Sequence, residues 1–284
     1  MNKEETKAML EAMEKDANKK ASNFWQPEEG ENVIRFLPPV KANDEILPYF
    51  HHKVHWIDGK PYECLAQSLV DKDGNYHEAE PCPICKISKK FYKLGERDSE
   101  EREIAYTISA RDRYIFRIVA RGKENETEPE FFEVGPSIYK KFYSVLKSGR
   151  YGNIVHPFEG RDFIIDKQGT GRRTNYDNST PDPNVTPIFE DKDDVRTVLT
   201  AIKEMPYSQL VDFTDAETMK EAVEEYLDAE DIADMIGESK KASKPKVEKP
   251  AEKTAPKKSS KKEETKEEEE VSTDEVDDIL AEFM

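Results

Sequence analysis

Cysteine is nearly absent from this 284-residue sequence: there are three, all between Cys64 and Cys85. An odd count without a secretion signal argues against a disulfide framework and for a reducing cytoplasm. Long apolar runs are missing too, and hydrophobic residues make up only 36% of the chain. No stretch reads as a membrane-spanning helix, and no signal peptide is visible. A glycine-rich phosphate loop with its lysine is also absent. Positive charge is in deficit, with a formal balance of -17. That total alone is unfavourable for binding a polyanion.

The acidity, however, is not evenly spread. Residues 188–238 carry 16 Asp/Glu against four Lys/Arg, and the last 22 residues carry 11 against one. From Arg111 to Tyr176 there are 13 Lys/Arg against nine Asp/Glu. A basic groove in the middle of the chain is therefore compatible with the total. Both ends are too polar to bury, so one folded domain is expected over 24–238. An amphipathic helical arm, 1–23, precedes it as an element for self-association. A lysine-rich linker and an acidic tail, 239–284, follow and are expected to be disordered. The tail ends in Asp277, Asp278, Ile279, Leu280 and Phe283, a pattern suited to docking partner proteins.

The three cysteines read as metal ligands. Cys82-Pro83-Ile84-Cys85 is a C-x-x-C, and Cys64 lies 18 residues before it. Three thiolates lack one ligand of a tetrahedral zinc site, and a closed site of that kind is structural, not catalytic. The fourth ligand is sought upstream. Val54–Ile57 and Lys60–Cys64 flank Asp58-Gly59, a two-residue hairpin signal. Pairing across it sets Ile57 opposite Lys60, His55 opposite Tyr62 and Lys53 opposite Cys64. Alternation then puts His55 and His51 on the face of Cys64, with His52 turned away. His77, before the C-x-x-C, competes less well. The zinc subdomain is expected over about 51–92. The same cysteines imitate a zinc deaminase, but that signature needs H-x-E and Ala79 stands two residues after His77.

The rest of the centre reads as β structure. Asn32–Leu37 alternates as a strand, and Glu103–Ala120 reads as one long strand. Its Arg111, Arg113 and Arg117 share one face, while Ile108, Tyr114, Phe116 and Ile118 share the other. Glu130–Val134 and Gly160–Asp166 are further strands, and Pro136–Leu146 is a helix with Tyr139 and Tyr143 partly exposed. Residues 86–94, 191–204 and 215–236 read as helices. Cations and rings interleave along this region: Tyr92, Tyr106, Arg111, Arg113, Tyr114, Phe132, Arg172, Arg173 and Tyr176. A basic groove with aromatic faces is what unpaired nucleic acid needs, because every base has a stackable face. The expected fold is mainly β with peripheral helices: an OB-fold core with an inserted zinc-binding subdomain. No acid–base pair, nucleophile constellation or open metal site is visible, so an enzyme is not expected.

Val33-Ile34-Arg35-Phe36-Leu37-Pro38, Cys64 with Cys82-Pro83-Ile84-Cys85, Pro157-Phe158-Glu159-Gly160, Thr174-Asn175-Tyr176-Asp177 and Asp277-Asp278-Ile279-Leu280 together resemble the single-stranded DNA-binding, helix-destabilising protein family of T-even bacteriophages. The resemblance covers about residues 30–180 and the extreme C-terminus. It implies sequence-independent coating of single strands in replication, recombination and repair, and replication and recombination proteins as partners of the tail. It favours His55 as the fourth zinc ligand. It also implies that Tyr92, Tyr106, Tyr114, Phe132 and Tyr176 lie at the DNA cleft, with Arg35, Arg111 and Arg113 on phosphates. A zinc-stapled protein-interaction adaptor is the alternative that the net acidity suggests.

Overall fold

The computed structural model describes residues 24–43 and 45–227, and the side chains of all of these except Ala42 and Arg172. The expectations for the arm, the linker and the tail lie outside the described residues. So does the end of the last acidic helix, beyond Leu227. Within them the chain is mainly β with five peripheral helices. The main sheet runs β3 (Lys60–Glu63), β2 (Tyr49–Ile57), β6 (Arg111–Ala120), β1 (Gly30–Phe36), β8 (Phe163–Lys167) and β9 (Thr180–Pro181), with β7 (Glu130–Val134) paired on β6. A separate small hairpin is formed by β4 (Leu69–Val70) and β5 (Tyr76–His77).

The centre of the sheet is covered on both faces. On one, Ile34, Phe36, Phe116, Ile118 and Phe163 pack with Ile138 and Phe142 of α3, the helix Pro136–Ser148. On the other, Leu37 and Val119 pack with Val195, Val198, Leu199 and Ile202 of α4, the helix Lys192–Lys203. The helices α1 (Pro83–Leu94), α2 (Glu100–Ile108) and α5 (Ala216–Tyr226) enclose a third cluster with the β2–β3 hairpin.

Two expectations are corrected here. Glu103–Ala120 is not one strand but α2 followed by β6. The Ser99 side chain accepts from the Arg102 N–H as an N-cap, and Glu100, Glu101 and Glu103 fill the first turn, where the helix dipole favours acids. Ala105 and Ile108 then bury against α1 at helical spacing, whereas the alternation of Ile104, Tyr106 and Ile108 fits a strand equally well. The second correction concerns Arg117. It does lie on the Arg111 face, but α4 and its following loop cover that face, so its side chain is fully buried. It makes two hydrogen bonds to the Glu45 carboxylate, at 2.7 and 2.5 Å, and donates to the Met205 carbonyl at 2.8 Å.

Candidate metal centre and nucleic-acid interface

The hairpin turn forms as its residues dictate. Asp58 and Gly59 both take positive φ, 47° and 75°, which a tight two-residue turn requires. The register pairs Ile57 with Lys60 and His55 with Tyr62, and the Cys64 N–H donates to the Lys53 carbonyl at 2.8 Å. This carries His55 and Cys64 to one buried spot. Cys82 and Cys85 arrive from the start of α1, where Cys82 is the N-cap and Pro83 opens the helix.

The four donor atoms lie within 4.8 Å of one another. Cys64 and Cys85 sulfurs are 3.5 Å apart, and His55 Nε2 is 3.4 Å from Cys82 and 3.6 Å from Cys85. Metal–sulfur bonds of ~2.3 Å in a tetrahedron place sulfurs about 3.7 Å apart, so the spacing fits a tetrahedral ion. All three cysteines are free. His55 Nδ1 donates to the Ile108 carbonyl at 2.7 Å, which fixes the proton there and leaves Nε2 as a ligand. Burial alone would lower the His55 pKa, but its hydrogen bonds to Cys82 and Cys85 outweigh this and raise it to about 9. Contacts from the Cys64 and Cys85 thiols push the Cys82 thiol far below its ordinary range. The same contacts push the Cys64 thiol up, so the sulfurs titrate together rather than singly.

The other histidines are placed elsewhere. His51 is exposed and meets Asp112 at 2.8 Å. His52 is buried against Glu63 at 2.8 Å. His77 meets Asp71 at 2.7 Å and stacks on Phe213. Of the alternatives that the hairpin left open, the structure brings only His55 to the sulfurs.

Around the N-terminal half of β6, aromatic rings form a continuous ladder. His51 stacks on Tyr114 at 4.7 Å and 17°, Tyr114 on Tyr139 at 3.7 Å and 3°, and Tyr139 on Tyr143 at 6.3 Å and 25°. The Tyr49 and Tyr139 hydroxyls lie 3.1 Å apart and hold the ladder to β2. Burial raises the Tyr114 phenol pKa, so the ring stays neutral. Tyr143 is 51% exposed and closes the outer end. Tyr139 and Tyr143 were legible only as half-exposed helix residues; their spacing of four is the signal that pairs them. A second aromatic patch joins α1 and α2. Tyr92 and Tyr106 meet edge to face at 6.0 Å, and the Arg102 guanidinium covers the Tyr92 ring at 3.8 Å.

The expected DNA contacts divide. Arg111, Arg173, Tyr92 and Tyr106 are exposed; Arg113, Tyr114 and Tyr176 are half-buried. Arg113 is ion-paired with Glu133 at 3.0 Å, so part of its charge is already met. Arg172 has no described side chain. Two others are not at a surface. Arg35 is fully buried; it donates to the His156 and Thr186 carbonyls and pairs with Asp162 at 3.3 Å. Burial pulls its pKa down to about 10. Phe132 is buried under Trp25, edge to face at 4.7 Å. Both lie where the middle of the sheet is covered on both sides, which strand alternation cannot reveal.

A family model described as gp32 DNA binding protein like matches residues 28–231. The chain belongs to the gp32-like DNA-binding family. A comparison with curated protein sequences finds no match. The match spans all nine described strands and all five described helices of the gp32-like chain, so the ring ladder and the Cys/His cluster both lie within the matched residues. The family is one of DNA-binding proteins, not of enzymes. No described helix is long and apolar enough to cross a membrane.

Proposed function

We propose that this protein binds single-stranded DNA without sequence preference and coats it during phage replication, recombination and repair. The observation that carries the reading is the ladder His51–Tyr114–Tyr139–Tyr143 on one face of the β2–β6 pair, ending at the exposed Tyr143 ring. Rings offered in series suit unstacked bases, and a duplex hides its base faces. The Tyr92–Tyr106 patch, Arg173 and Tyr176 extend the contact surface. The cluster of His55, Cys64, Cys82 and Cys85 holds one structural Zn2+; three soft thiolates and one imidazole favour that ion. Bound there, zinc supplies a cross-link between the hairpin and α1, and no reactive position is left open. The sharing of β6 among β2, β1 and β7 supports an OB-type barrel, since a closing sheet needs such a branched strand. Residues 1–23 serve self-association, and 239–284 recruit replication and recombination proteins through the acidic tail.

Titration of fluorescent oligothymidylate and a matched duplex at several salt concentrations tests this reading. Tighter binding to the single strand is expected, with a log–log salt slope of about -0.7 per neutralised phosphate. Equal affinity for both would overturn it. Tyr143→Leu is expected to weaken single-strand binding by roughly 1–3 kcal/mol, the usual contribution of one stacked base. An unchanged affinity in that variant would remove the ladder from the interface. A chain ending at Glu238 separates this reading from the adaptor. It should bind single strands at least as tightly as the full chain, because the acidic tail no longer competes; an adaptor would bind none.

A further inference from the structure

The ladder does not end at bare surface. One helical turn after Tyr143, the Lys147 ammonium lies 5.8 Å from its ring centre. Helix α3 then stops at Gly149, which takes the left-handed conformation with φ 65°. The reversal delivers Arg150 and Tyr151 beside Arg161. A cleft of about 360 Å³ opens there, lined by Arg150, Tyr151, Asn153, His156, Glu159 and Arg161. The Arg150 and Arg161 guanidinium carbons lie 5.8 and 5.7 Å from the Tyr151 ring centre. Tyr151 packs on the same core cluster as Tyr139 and Tyr176.

The charges in this cleft have no settled partners. Among the described residues neither arginine has an ion pair. Arg161 donates only to carbonyl oxygens, those of Tyr151 at 3.0 Å, Asp182 at 3.5 Å and Pro183. These bonds orient the guanidinium without neutralising it. The Phe158 and Glu159 N–H groups donate to His156 Nδ1 at 3.2 and 2.9 Å. The ring proton is thereby fixed on Nε2, a donor with no partner among the described residues. Against two cations stands one lining carboxylate, Glu159. A planar fork held by carbonyls, a second guanidinium and an imidazole N–H form a set suited to a phosphate oxyanion.

We infer that the Arg150–His156–Arg161 cleft holds a backbone phosphate of the single strand, one step beyond the stacking position at Tyr143. This rests on the single-strand reading above. Lys147 bridges the two positions, so the strand runs along α3 from Tyr114 and leaves over the cleft. Two cations on one phosphate give the strand a fixed exit, while the ladder tolerates any base.

The test uses the full-length, metal-loaded protein and a long oligothymidylate across a range of salt. Arg150→Gln removes an exposed side chain with no hydrogen bond to the fold. It should reduce the log–log salt slope by about 0.7 and weaken binding roughly three- to tenfold at low salt. Glu159→Gln, whose backbone contacts remain, should tighten binding about twofold. Arg196→Gln removes the same charge from α4 and should change neither quantity. If wild type binds but Arg150→Gln behaves like Arg196→Gln, the cleft is off the strand path and the functional reading stands. If wild type does not bind single strands, both fall. Inorganic phosphate added at constant ionic strength separates a free anion from the strand. Protection of Arg150 by phosphate, with no difference in slope between wild type and Arg150→Gln, would overturn the assignment to DNA.

Discussion

Cys85→Ser is expected to abolish stoichiometric metal binding and to lower the thermal midpoint by ~10–15 °C. The serine hydroxyl is a poor replacement for a thiolate, and three donors remain around a buried hole. The cluster around His55 and the three cysteines has apolar material of its own: Ile57, Leu65, Ile84, Ile87, Phe91 and Ile108. Loss of the ion therefore loosens this region without erasing it. A cost of ~3–5 kcal/mol converts to that midpoint shift for a domain of this size. Metal content by elemental analysis and the midpoint by calorimetry or circular dichroism report the two effects. Single-strand affinity should fall less, because the ladder is built on β2, β6 and α3. Acid should release the ion, since protons compete for thiolates and imidazole. A native protein without bound metal, or a Cys85→Ser midpoint equal to wild type, would rule out the structural ion.

Arg117→Met should destabilise the protein by about 3–5 kcal/mol while leaving single-strand affinity unchanged. The guanidinium is fully buried and grips Glu45 with two hydrogen bonds, and its flat face lies 3.9 Å from the centre of the Tyr207 ring. Removing it strands a carboxylate that is only 13% exposed. Breaking one side of such a pair costs roughly 3–5 kcal/mol, because the remaining charge is left without a partner. Adding Glu45→Gln should restore part of the loss, since the amide oxygen can still accept the Val40 N–H that Glu45 accepts at 3.0 Å. Chemical denaturation of the two single variants and the double variant measures the coupling. A loss below about 1 kcal/mol would place Arg117 outside the buried network. A large loss of DNA affinity at unchanged stability would return it to the basic face.

The sequence by itself settled whatever depends on neighbours along the chain. Asp58-Gly59 set the hairpin register, and alternation within it put His55 on the face of Cys64. The C-x-x-C spacing paired Cys82 with Cys85, though the helix expected from residue 86 begins at Pro83 and takes in Cys85. Interleaved arginines and tyrosines marked the middle of the chain despite its net acidity. What the sequence could not determine was which face of a strand is covered, because burial is set by elements far away in the chain. Arg35 and Arg117 look like surface cations on an alternating strand, yet residues 156–205 close over them. Residues 103–108 fit a helix and a strand equally well until α1 packs against them. The ladder likewise needed the fold: His51, Tyr114, Tyr139 and Tyr143 come from two strands and a helix, and only their packing stacks them into one surface.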